Sequence, residues 1–180
     1  MEFAEFFGKR GVLGSIGVEE RLPFVRAMKI IIFVLVSFLS TSTTAALAED
    51  AGVLAWQRGG CSNCHGNLAS GGQDPSYPQG PSLRVTLLDK DALSETISCG
   101  RPGTEMPANL RGAYSAIACY GMPIGQVPQE VRPGGSLTEE EIQALVLFLN
   151  TNVVGKRRIT RQNCALFNEG NDGAPECQQF

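Results

Sequence analysis

The strongest apolar pattern in the chain lies in residues 137–150, where Ile142, Leu145, Val146 and Leu149 recur at the spacing of one helical face. Thr138, followed three residues later by Glu141, carries the signature of a capping box, and Glu139 and Glu140 suit the positive end of the helix dipole. A second helix is predicted over residues 89–99: Asp89 can cap it, Leu93 and Ile97 stand four apart, and Gly100 with Pro102 ends it. A third, shorter one is predicted over residues 50–60, with Val53, Leu54 and Trp56 as apolar contacts and Gly59-Gly60 as the stop. Residues 66–81 and 101–136 read as loops, and no stretch alternates long enough to suggest a strand. The predicted fold class is all-α, with three to four helices and long loops.

A different pattern precedes these helices. Met28-Lys29, the apolar run 30–39 and the small residues ending Ala46-Leu47-Ala48 follow the order of a secretory signal, with cleavage expected after Ala48. Residues 1–27 lengthen its basic beginning, and Met28 could itself be the start. A retained anchor is the rival, but ten strongly apolar residues fall short of the about 20 a spanning helix needs. The chain then divides into a pre-sequence, 1–48, a domain, 49–152, and a C-terminal extension, 153–180. Residues 49–180 hold ten Lys plus Arg against fourteen Asp plus Glu, a mildly acidic balance unlike a nucleic-acid surface. The basic residues Lys156, Arg157, Arg158 and Arg161 read as a solvated face of the extension.

The chemistry concentrates at Cys61-Ser62-Asn63-Cys64-His65, which contains the only histidine of the 180 residues. Two thiols three positions apart can each add to a vinyl group of one haem while the adjoining imidazole binds its iron. A thioredoxin-like site would want a surrounding βαβ pattern, and a zinc site would want a second ligand cluster; neither is visible. Four cysteines remain. In an exported chain they read as two disulfides; sequence allows three pairings, and loop closure favours Cys99 with Cys119 and Cys164 with Cys177. A four-cysteine metal site is the alternative.

Together these features resemble the class I c-type cytochromes over residues 50–150: a first helix, Cys-x-x-Cys-His followed by Gly66, the loop Gly80-Pro81-Ser82-Leu83, a Met-Pro loop, and a last helix opened by Leu137-Thr138-Glu139-Glu140-Glu141-Ile142. The resemblance implies a small domain around one covalent haem c, with Cys61 and Cys64 as attachment points and His65 as an iron ligand. It implies that the Pro81 carbonyl accepts the His65 Nδ1 proton. A methionine would supply the opposite ligand. Met106, in Gly100-Arg101-Pro102-Gly103-Thr104-Glu105-Met106-Pro107, matches the Gly-rich Met-Pro loop of the family, and Asn109 would then donate to its sulfur. Met122, also before a proline and nearer the last helix, is the alternative. Arg84 and Arg101 could meet propionates but read more simply as solvated charges. Trp56, Tyr77, Tyr114 and Tyr120 read as packing residues.

The function implied is a periplasmic monohaem carrier of single electrons between a donor and an acceptor protein, not an enzyme. A tightly bound electron-transfer subunit of a dehydrogenase or respiratory complex is the alternative, because residues 101–136 and 153–180 exceed what a minimal carrier requires. A haem enzyme or gas sensor is the third reading. No nucleic-acid partner is expected, and membrane association would come only from an uncleaved signal or from a complex.

Overall fold

Glycine pairs and capping side chains set the helix ends in the computed structural model, which describes residues 41–72 and 74–180, and of residues 41–49 the backbone alone. Helix α1, Thr41–Arg58, starts earlier than the apolar pattern suggests and runs through the expected cleavage position at Ala48. The pre-sequence features before Thr41, including Met28 and the apolar run, lie outside the described residues. At its end Gly60 turns left-handed, with φ 62°, and helix α2, Cys61–His65, follows at once. Helix α3, Lys90–Cys99, begins where the Asp89 carboxylate accepts the Ala92 N–H at 2.8 Å and ends at Gly100, φ 70°.

Two short strands come next, β1, Ala108–Leu110, and β2, Pro133–Leu137, followed by helix α4, Glu139–Asn152. The capping box of α4 is formed in both directions: Thr138 Oγ1 accepts the Glu141 N–H, and the Glu141 carboxylate accepts the Thr138 N–H. Helix α5, Arg161–Phe167, is capped by Thr160 in the C-terminal segment. Single 3-10 turns stand at Leu83–Val85 and Pro175–Cys177.

The strands correct the all-α expectation. They pair in parallel, Ala108 opposite Pro133 and Leu110 opposite Leu137, with a bulge between, so the described chain is a mixed α/β structure of five α-helices and one two-stranded sheet. Neither strand announces itself. All three residues of β1 are buried, which leaves no alternation to read, and the Pro-Gly-Gly-Ser of β2 spells a turn. Close approach explains the composition: a Cβ on Gly134 would stand 3.1 Å from Pro107 Cβ and 3.2 Å from the Ala108 carbonyl carbon.

The main core forms where α1, α3 and α4 meet. Val53, Ala55 and Trp56 come from α1, Leu93 and Ile97 from α3, and Ile142, Leu145, Val146, Phe148 and Leu149 from α4; Leu110 and Leu137 close it from the strands. α1 and α4 touch at Gly52, where an added Cβ would overlap Phe148 Cβ and lie 2.7 Å from the Ala144 carbonyl oxygen. The C-terminal segment then covers the contact. Phe167 of α5 packs edge-on against Trp56 at 5.6 Å and Phe148 at 5.2 Å between ring centroids. Its anchor is the Cys164–Cys177 disulfide, within a small cluster that includes Leu68 and Ala174. Among the described residues no helix is long and apolar enough to cross a membrane.

Replacement of Gly52 by Ala is expected to destabilise the fold by about 1–3 kcal/mol, because neither the Phe148 side chain root nor the Ala144 backbone can yield freely. Urea unfolding measures it as a lower midpoint at constant slope. An unchanged midpoint would contradict the close contact.

Candidate functional site

The sequence between the first two helices leaves no room for a linker, so Cys61 and Cys64 share a face of α2 and His65 ends it. The chain then doubles back on itself. Gly71 N–H donates to the His65 carbonyl at 2.8 Å and Gly80 N–H to the Cys64 carbonyl at 2.8 Å. Gly72 N–H reaches the Gly80 carbonyl at 3.0 Å and Leu83 N–H the Ala69 carbonyl at 3.0 Å. These bonds zip residues 64–72 to residues 80–83. Gly80 is the tight point: a Cβ there would meet the Cys64 carbonyl oxygen at 2.7 Å and His65 Nδ1 at 2.9 Å.

His65 is buried, and its Nδ1 lies 2.8 Å from the Pro81 carbonyl oxygen. A carbonyl can only accept, so Nδ1 carries the proton and the lone pair resides on Nε2. Burial pushes the imidazole below its ordinary pKa, the Pro81 carbonyl opposing this in part, and the ring is held neutral. A neutral, oriented imidazole is a ligand in waiting rather than a general acid.

The two thiols are free, and Cys61 packs against the main core. Burial, with a smaller contribution from the neighbouring Cys64, pushes the Cys61 thiol up to about 12, although a backbone hydrogen bond opposes it. An attacking thiol of a disulfide oxidoreductase needs the opposite shift, which argues against the thioredoxin-like reading.

The cofactor expectation needs correction. The covalent sulfur chemistry comprises two disulfides, and Cys61 and Cys64 stand as thiols in a short helix. Among the described residues no three His, Cys, Asp or Glu side chains gather to hold a metal ion. A groove of about 430 Å³ beside Glu95 and Ile142, and another of about 670 Å³ beside Leu88 and Met122, do not include Cys61, Cys64 or His65 among their walls. Cys61 is thus turned into the protein's own packing and not toward the expected haem c.

The remaining candidates separate clearly. Met106 packs against the same core cluster as Cys61, whereas Met122 packs against the cluster of Cys99, Cys119 and Tyr114. Asn109 is buried, but its Nδ2 donates to the carbonyls of Ile97 at 3.3 Å and Pro107 at 3.1 Å, so the amide expected on the Met106 sulfur is engaged by backbone. The disulfides are Cys99–Cys119 and Cys164–Cys177, the pairing loop closure favours. Tyr114 and Tyr120 hydroxyls donate to the Cys99 and Gly100 carbonyls, Trp56 lies in the core, and Tyr77 is exposed.

Arg84 departs most from its sequence reading. It is 2% exposed rather than solvated, with Nε donating to the Leu68 carbonyl at 2.8 Å and one terminal nitrogen to the Lys156 carbonyl at 3.0 Å. The other terminal nitrogen has no partner, and burial pulls the guanidinium below its ordinary pKa. No sequence signal distinguishes it from a surface arginine.

With both thiols free, Cys61 is expected to alkylate about a thousandfold more slowly at pH 8 than a thiol at the ordinary value of 9.0, because the thiolate fraction falls tenfold for each unit of upward shift. Timed iodoacetamide labelling with peptide mapping measures this, and labelling of Cys61 at the rate of an unshifted thiol would contradict its burial. Compared with known proteins, the chain matches no family model, no curated protein and no solved structure.

Proposed function

We propose that this chain is an exported, periplasmic carrier of single electrons between a donor and an acceptor protein, in which His65 Nε2 and Met106 are the residues that would ligate a redox-active iron and no substrate is turned over. The observation that carries the reading is the hydrogen bond from His65 Nδ1 to Pro81, which leaves the other nitrogen as an oriented donor beside two thiols. Imidazole opposite thioether is a ligand pair that favours fast, reversible change of iron valence. The packing of Met106 in the cluster that includes Cys61 supports it over Met122. Two disulfides indicate an oxidising, extracellular-type compartment, and the periplasm is the form of it that the signal-like pre-sequence favours.

A second reading, the tightly bound electron-transfer subunit, draws on a specific observation. Leu87 is 98% exposed, and Val85, Ile124 and Val127 are also open to solvent, apolar surface that a bound partner would cover.

Optical spectra of protein purified from the periplasm test the proposal. An iron signature is expected, with a weak band near the red end of the visible in the oxidised form from sulfur ligation. Met106→Ala is expected to abolish that band and Met122→Ala to retain it. Persistence in Met106→Ala would move the ligand to Met122, and a chain exported without any iron signature would end the electron-carrier reading.

A further inference from the structure

We propose that Arg84 is a positioning residue that couples the C-terminal segment to the backbone holding the His65 ring. The argument begins with the zip between residues 64–72 and 80–83, whose last backbone rung joins Leu83 N–H to the Ala69 carbonyl. Arg84 extends that zip by one side-chain rung, Nε to the Leu68 carbonyl at 2.8 Å. Its backbone is fixed as well: the Ser82 hydroxyl accepts the Arg84 N–H at 3.3 Å and the Arg84 carbonyl accepts the Gly155 N–H at 3.1 Å. The same guanidinium holds the Lys156 carbonyl at 3.0 Å.

One planar fork thus bonds the loop after His65 on one side and the chain entering α5 on the other. Pro81, whose carbonyl orients His65, lies within the zipped strand between Gly80 and Leu83. Movement of the 155–156 segment therefore reaches the imidazole through two hydrogen-bonded steps. Burial strengthens the link. Among the described residues carbonyl oxygens, not carboxylates, accept from the guanidinium, so losing either carbonyl leaves a further buried donor unmade. Leu68 itself packs with Cys164, Ala174 and Cys177, so the segment clamped by the disulfide and the loop after His65 also share a cluster.

That His65 serves a redox centre rests on the proposed function, but the coupling does not, and the test uses readouts independent of iron. Amide hydrogen exchange at Gly80 and Leu83, and the Nδ1–H resonance of the sole histidine, are compared in Arg84→Gln, in the pair Cys164→Ser with Cys177→Ser, and in all three combined. Each of the first two is expected to accelerate Gly80 and Leu83 exchange about tenfold or more and to shift the Nδ1–H resonance, while Ile97 and Leu145 amides stay unchanged. The combined variant is expected to go no further than Arg84→Gln alone. Arg84→Lys, which keeps charge and stem but offers one nitrogen to two carbonyls, is expected to lie between and serves in place of the glutamine variant should that fail to fold. Additive effects, or a Gly80 amide unmoved when the tail disulfide is removed, would overturn the proposal. Loss of the iron signature with this coupling intact would count against the proposed function alone.

Discussion

The contact of α1 with α4 at Gly52 is the constraint on which the rest of the structure depends. Because the two helices approach until backbone meets the root of Phe148, Trp56 and Phe148 come near enough for one further ring, Phe167, to sit edge-on against both. The approach also fixes where α1 ends, and Gly59 and Gly60 turn the chain at that point into α2. The position of His65 is thus inherited from helix packing, and the loop bonds refine it. A wider crossing would alter the tail and the site together, since both are referred to the same pair of helices.

Polar groups near His65 are satisfied almost wholly by backbone. Pro81, Leu68 and Lys156 supply carbonyls to imidazole and guanidinium, while the ion pairs of Arg58 with Glu141 and of Arg132 with Glu105 lie on the surface. Backbone acceptors carry no charge to titrate, so orientation of the ring does not depend on the protonation of a neighbouring carboxylate. Such a surround suits a site whose own charge would alternate.

Legibility in the sequence followed the range of the interaction. The capping box at Thr138 and Glu141, the Asp89 cap and the glycine stops involve residues three or four apart, and sequence alone located them. The disulfides were accessible through loop length. What escaped notice depends on distant partners. β1 and β2 exist because Ala108 and Leu110 find Pro133 and Leu137 across a long loop, and Arg84 is buried because Leu68 and Lys156, far apart in the chain, converge on it. Asn109 failed as a sulfur donor for the same reason: its position after Met106 was readable, but the carbonyl of Ile97 on α3 was not.

The parallel pairing of β1 with β2 has one further consequence. Residues 111–132 leave β1 at one end of this pair and enter β2 at the other, burying Tyr114 and Cys119 on the way, so α4 receives the chain at a point set by the strands. Loop entropy grows only slowly with length, and the Cys99–Cys119 bond tethers the excursion near its base. Lengthening or rewriting its exposed part, residues 123–127, therefore need not disturb Met106 before it or the capping box after it. The fold can diversify one surface while its interior stays constant.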